Sequence, residues 1–387
     1  MVNPTINSPL VFAGEVSPAS VGMRETGVRR IYETFERFLA EGLHPGAQLV
    51  VLRYGQVVLD CAAGSANIAR RTSVTPDTPF MTYSVTKPFT GMCIHHLIEE
   101  GKVELDAPIA RYWPEWGCKG KEKATIRHAF LHQAGIPLRG LNIEALIAWN
   151  WNLVSRYVAR LKAEYEPGTV CAYHLVNYGF ILGEVVRRVT GKRIDLYMQE
   201  VLFEPLGLKN SFLGLPRGEL KRAAHIYCGD PSQRMAVNAF NWPSFRGAVV
   251  PAATLNSTAR EVATFYQMLL NGGIYAGRRI VQPETITAAT QLGFDGRNAY
   301  GDWPVRWAYG FGLGGNAPDT VDSPNGMGKG STLRTFGHFG QASCMAWADP
   351  DVEIVVAFTC NRLLGNSEAH DRWRTLSDAV WDAIEGS

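Results

Sequence analysis

Residues 82–116, TYSVTKPFTGMCIHHLIEEGKVELDAPIARYWPEW, decide how this chain is read. A helix is expected from near Ser84 to Glu100-Gly101. It opens on Ser84-Val85-Thr86-Lys87, the only S-x-x-K in the sequence. Residues three apart share a helix face, so this hydroxyl and this amine can meet. In a first turn, unpaired N–H groups and the helix dipole favour developing negative charge. A serine nucleophile needs a base, and a lysine serves only when burial or nearby positive charge lowers its pKa. Alone the pattern is weak. Two set positions in four recur about once by chance in a chain of this size, and they also describe a helix-capping serine with a solvated lysine.

Outward from that segment, hydrophobic spacing organises both ends of the chain. Val28, Ile31, Phe35 and Leu39 lie on one helical face over 25–42, ending at Gly42. Ala47–Arg53 and Gln56–Ala62 flank Tyr54-Gly55 and read as a β-hairpin. The middle, about 90–240, is helix-rich, with one helix over about 177–190 stopped by Gly191. A helix from Thr258 to Asn271 carries a capping box, Thr258 with Glu261, and Gly272 ends it. Strands return at Trp307–Leu313, Phe336–Phe339, Ala342–Ala348 and Val352–Thr359, with a turn at Asp349-Pro350-Asp351. A last helix aligns Trp373, Leu376, Val380 and Ile384, and 314–330 reads as a surface loop. The expected fold is α/β (α+β): an antiparallel β-sheet flanked by helices, built from both ends of the chain, with a mostly helical domain inserted. The expected sheet domain is 1–90 with 241–387, the helical domain is 91–240, and the active site lies between them.

Composition narrows the function. The 387 residues are 46% hydrophobic and 19% charged, with a net charge of +2 and no basic block, so nothing marks a nucleic-acid binder. Seven cysteines without a C-x-x-C pair argue against a disulfide framework and against structural zinc, and suggest buried thiols in a reducing compartment. The start, MVNPTINSPLVFAGEVSP, lacks the basic and apolar regions of a signal peptide, and no run of about 18 apolar residues occurs, so the expectation is cytoplasmic, without a membrane span. There is no G-x-S-x-G, H-E-x-x-H or P-loop, and no G-x-G-x-x-G opens a helix after a strand.

The surrounding segments settle the weak S-x-x-K. TIRHAFLHQAGIP (125–137), EPGTVCAYHLVNYGFILGEVVRRVTGK (166–192), EPLGLKNSFLGLP (204–216), NSTAREVATFYQMLLNGG (256–273) and FGHFGQASCMAWADPDVEIVVAFTCNR (336–362) follow residues 82–116 in order. Over about 25–385 the chain resembles the serine β-lactamase-like superfamily, in particular the family VIII carboxylesterases and class C β-lactamases, with their DD-peptidase-like fold. The resemblance implies Ser84 as nucleophile, with Lys87 and Tyr173 handling its proton. It places a Tyr-x-Asn motif on Tyr173-His174-Leu175, where a phenol near Lys87 is open to ionisation at modest cost. Leu175 replaces the asparagine that meets a substrate amide, which favours a less polar acyl group. The Lys-Thr-Gly motif falls on His338-Phe339-Gly340. Its carboxylate-holding lysine and threonine are gone, and Gly340 lets substrate approach the strand. The N–H groups of Ser84 and Gln341 are the implied oxyanion hole.

No metal or cofactor is expected. His95 and His96 are adjacent and so diverge by about 100° on a helix, and His128 with His132, though four apart, falls in a segment where a structural role is usual. His174 is an open candidate for lining the site. Trp151, Trp242 and Trp307 are candidates for an acyl pocket, with core packing as the default. The expected function is hydrolysis of short, fairly apolar carboxylic esters through an acyl-enzyme. β-Lactam or D-Ala-D-Ala peptide hydrolysis and acyl transfer are the alternatives, and a non-enzymatic relative is disfavoured by the retained Ser84 and Lys87. A small-molecule ester is the expected partner, and a homo-oligomer is left open.

Overall fold

The computed structural model describes residues 11–12, 14–136, 144, 147–315 and 326–385. Three strands come from the N-terminal part: β1 (Val11–Phe12), β2 (Gly46–Arg53) and β3 (Gln56–Asn67). Six come from the C-terminal part: β4 (Phe294–Asn298), β5 (Trp303–Trp307), β6 (Gly312–Leu313), β7 (Phe336–Gly340), β8 (Cys344–Asp349) and β9 (Ile354–Cys360). Across the sheet they run β1-β3-β2-β9-β8-β7-β6-β5-β4, with Thr72–Ser73 paired outside this row to β3. The two ends of the chain therefore join at β2 and β9, antiparallel, with Val50 opposite Ala357 and Leu52 opposite Val355.

Local chemistry explains the hairpins. Tyr54 and Gly55 both take positive φ, 49° and 73°, as a two-residue turn matched to strand twist requires. Every residue of β2 is buried because helices cover both sheet faces. On one face Leu49 and Val51 meet helix α1 (Glu25–Ala40), which contributes Val28, Ile31, Phe35 and Leu39. On the other, Val50 and Leu52 join the larger core. That core includes α2 (Thr86–Glu99), α3 (Trp151–Ala159), α4 (Asn177–Thr190) and α5 (Ala259–Leu270). Helix α6 (Asn366–Ala383) returns beside α1 and buries Trp373, Leu376 and Val380. Gly191 caps α4 at φ 74°, and Gly272 follows α5 at φ 62°.

Several expectations are corrected. Trp307–Leu313 is not one strand. The chain leaves β5 at Trp307, turns with Ala308 N–H donating to Phe311 O at 2.9 Å, and re-enters as the two-residue β6. Gly310, at φ 117°, permits that turn. Strand β4 was not foreseen. Its sequence FDGRN has a single β-former, Phe294, among residues depleted in strands, and it sits at the end of the sheet row. The Thr258 cap is half a box: its side chain accepts from Glu261 N–H at 3.1 Å, but the Glu261 carboxylate accepts instead from Asn210 N–H and the Ser211 hydroxyl. The expected loop at 314–330 lies outside the described residues over 316–325. Residues 1–10, most of the segment read against a signal peptide, lie outside them as well. Among the described residues no helix is long and apolar enough to cross a membrane.

The join between helices and sheet gives a stability test. Phe35 is fully buried between α1 and the sheet. Phe35→Ala is expected to lower stability by about 3–5 kcal/mol, read as a fall in the urea midpoint, because the site cannot collapse between two rigid layers.

Candidate active site

Ser84 sits in a single 3-10 turn, Tyr83–Val85, which leads directly into α2. Two contacts hold the approach to that turn: Thr82 N–H donates to Leu255 O at 2.8 Å, and its hydroxyl donates to the same oxygen at 3.0 Å. Tyr83 then takes a left-handed φ of 47°, a strained conformation for a bulky residue, which turns the chain into the helix at Ser84. Lys87, one turn further, is 1% exposed. Its Nζ lies 2.9 Å from Ser84 Oγ and donates to Ala252 O at 3.3 Å. Burial pushes the Lys87 amine well below the ordinary lysine range.

Tyr173 arrives from the loop before α4. Asn298, at the end of β4, accepts its N–H at 2.7 Å. On either side, Ala172 N–H donates to His132 O at 2.8 Å and His174 N–H to His132 Nδ1 at 3.1 Å. The Tyr173 hydroxyl lies towards Ser84, whose influence lowers its pKa against the larger effect of burial. Its ring stacks on Trp307, with centroids 5.7 Å apart and planes at 14°, and Lys87 Nζ lies 4.8 Å from the ring centroid. The easily ionised phenol expected from the sequence is corrected here. Burial raises the Tyr173 pKa and lowers that of Lys87, so it favours the uncharged form of both groups.

Strand β7 packs against the Ser84 turn. A Cβ on Gly340 would lie 2.3 Å from both Thr82 O and Cys344 Sγ, so only glycine lets the two backbones come this close. The N–H groups of Ser84 and Gln341 meet no acceptor among the described residues. His338 is buried and hydrogen-bonds Phe339 O through Nδ1 at 2.8 Å. Burial, then the nearby Lys87, push its pKa down to about 3. A neutral imidazole therefore stands in this motif.

The structure brings Ser84, Lys87, Tyr173 and His338 together, and Phe339 lines the adjoining cavity beside Trp373. One residue along the strand, Phe339 points to the other face and packs its ring 4.9 Å from Trp373 of α6. Leu175 stands half-buried on the Tyr173 loop. The other histidines have structural uses. His95 Nε2 bonds Tyr309 O at 2.7 Å and His96 Nδ1 bonds the Tyr197 hydroxyl at 2.8 Å. His128 Nδ1 accepts from Thr125 N–H in a helix cap. His132 was read only as structural, yet its ring lies 4.6 Å from Tyr173 and 5.0 Å from Trp307. His174 uses Nε2 to accept Ala134 N–H at 3.1 Å. Asn298 left no sequence signal because β4 itself was not foreseen. A cavity of about 750 Å³ opens beside Tyr173 and His338, walled by Trp303, Trp307, Phe339 and Trp373.

Chemically, this is a hydroxyl beside an amine and a phenol whose uncharged forms burial favours, next to two N–H donors without acceptors among the described residues. Such a set suits nucleophilic attack on a carbonyl.

Comparison with known proteins is consistent with this arrangement. The model of the family described as Beta-lactamase matches residues 32–380. The chain is 31% identical over 354 residues to the esterase/beta-lactamase LipL of Mycobacterium tuberculosis, covering 82% of this chain and 77% of that protein. Its fold is similar to the crystal structure of a family VIII carboxylesterase, with a TM-score of 0.80 and 27% identity over 94% of this chain and 99% of that one. A penicillin-binding protein homologue from Caulobacter crescentus gives a TM-score of 0.79 at 27% identity, again over 94% of this chain and 99% of that chain.

The buried amine sets a pH dependence of stability. The unfolded chain holds the Lys87 proton up to the ordinary lysine pKa, and the folded chain releases it well below that. Between the two values the unfolded state binds more protons, so stability rises with pH through that window. The difference in urea midpoint between wild type and Lys87→Met should show the rise, since the buried thiols that titrate the opposite way are common to both, and Lys87→Met should have the higher midpoint at neutral pH.

Proposed function

The chain belongs to the beta-lactamase family, and on that premise we propose that it is a serine carboxylesterase acting on short, fairly apolar esters, with Ser84 as nucleophile. One observation carries the reading: a buried lysine amine, its pKa depressed, 2.9 Å from the hydroxyl of a serine at a helix start.

The Lys87 amine takes the Ser84 proton as Oγ attacks the ester carbonyl carbon. The carbonyl oxygen becomes an oxyanion, received by the N–H groups of Ser84 and Gln341, each such donor contributing about 3–4 kcal/mol in the transition state. The Tyr173 phenol gives its proton to the departing alkoxide and recovers one from the Lys87 ammonium. That leaves an ester of Ser84, a free alcohol and a neutral amine. Water then attacks the acyl-enzyme, its proton passing through the same pair of groups, and Ser84 Oγ leaves with a proton as the acid departs.

The substrate class follows from what surrounds these groups. His338 is neutral and Phe339 apolar, so this motif itself supplies no cation to hold a carboxylate. Leu175 offers no hydrogen bond to an acyl amide. Seven unpaired cysteines suit a reducing compartment, in keeping with a cytoplasmic enzyme. β-Lactam hydrolysis is the second reading, favoured by the name of the LipL relative. The missing cation makes it the slower reaction.

A burst of p-nitrophenol from p-nitrophenyl butyrate, lost in Ser84→Ala, is the expected result. Tyr173→Phe should lower kcat by about 10²–10⁴-fold with KM little changed. Turnover of nitrocefin faster than of the ester would reverse the ranking of the two readings.

A further inference from the structure

The C-terminal helix carries a charged group that none of the chemistry above uses. Arg372, on α6, is 2% exposed. No carboxylate pairs with it among the described ion pairs. Its nearest ring is Phe358, 5.6 Å from the guanidinium carbon, and its Nε and Nη1 have no hydrogen-bond partner. A buried cation without a counter-ion is costly and persists only where it does something specific.

What it holds is the turn that follows Gly340. Arg372 Nη2 donates to Ala342 O at 2.7 Å and to Ser343 O at 3.2 Å. That turn is strained. Gln341 and Ala342 take positive φ, 25° and 51°, in succession, and neither is glycine. Left-handed backbone of this kind is unfavourable for a residue that carries a Cβ. Neighbours add weaker ties: Leu364 N–H reaches Ala342 O at 3.4 Å and Cys360 Sγ reaches Ser343 O at 3.1 Å. Ahead of the strained pair, Ser343 N–H closes back onto Gly340 O at 2.8 Å. The turn is thus clamped through its carbonyls, and the Gln341 N–H, like that of Ala342, is left without an acceptor among the described residues.

We propose that Arg372 is a positioning residue: its buried guanidinium grips the Ala342 and Ser343 carbonyls and thereby holds the strained turn that presents the Gln341 N–H to the oxyanion. The proposal rests on the esterase reading above and adds to it a residue remote from the substrate. Arg372 touches no reacting atom. Its effect is on transition-state stabilisation and not on ground-state binding, since the oxyanion exists only in the former.

The test compares wild type, Arg372→Lys and Arg372→Ala on p-nitrophenyl butyrate. Arg372→Ala should lower kcat by about 10–100-fold with KM within about threefold of wild type. Guanidinium at about 20 mM should restore about fivefold or more of that loss, whereas urea at the same concentration should not, because only the former replaces the missing donor. Arg372→Lys should fall between the two. If Arg372→Ala does not fold, Arg372→Lys carries the test, with a kcat-selective loss expected at a near-wild-type thermal midpoint. A kcat within about threefold of wild type in the folded variants, a loss confined to KM, or equal rescue by urea overturns the proposal. Labelling by a fluorophosphonate separates the two levels. If wild type shows no Ser84-dependent labelling, both readings fall. If it labels and turns over while the Arg372 variants keep full kcat, only this one does.

Discussion

The site is built around a lysine amine taken out of water. Lys87 has a carbonyl and a hydroxyl as its hydrogen-bond partners and, among the described residues, no acid to pair with, so burial depresses its pKa without a compensating ion pair. Had a carboxylate been placed beside it, the ammonium would be stabilised and the amine would be no base. The environment is consistent with that requirement. His132, His174 and His338 are all held neutral by burial, and the Tyr178 hydroxyl donates to Lys87 O at 3.3 Å, leaving Nζ free for Ser84. A neutral polar cluster of this kind tolerates low dielectric where a charged one does not.

Bringing the proposed oxyanion donors into range is a separate problem, met by backbone contact. Thr82 is anchored to the Leu255 carbonyl, and β7 approaches it so closely that position 340 admits no side chain. Strain on both sides of the gap, at Tyr83 before the serine and at Gln341-Ala342 after the strand, is held in place by hydrogen bonds from distant parts of the chain. Strained backbone clustered at a site, over-determined by its surroundings, is the usual signature of preorganisation.

Much of this was legible in the sequence, and the failures have physical causes. Helices α1 and α4 and the β2–β3 hairpin were readable because one buried face and a glycine stop leave a periodic trace. Strand β4 left none: FDGRN at the sheet end has no apolar alternation, and with it went Asn298, which orients Tyr173. Trp307–Leu313 carried β-formers but hid a turn at Gly310. His338 and Phe339 face opposite ways, as the period of two along a strand requires, and both border the cavity. Ionisation states were out of reach, because they depend on burial that sequence does not report. Arg372 was invisible for the same reason: charge on a helix ordinarily faces solvent, and nothing in NSEAHDRWRTL marks this one as buried.

The proton state of Lys87 is the claim on which the chemistry turns, and it can be observed directly. Lysine side chains labelled with ¹³C at Cε, with the Lys87 signal assigned by its disappearance in Lys87→Met, would be followed by NMR against pH. A titration midpoint well below the ordinary lysine value, with the amine neutral at the pH of turnover, is predicted. A Lys87 signal that titrates with the surface lysines, fully charged while the enzyme is active, would contradict the assignment of Lys87 as the base.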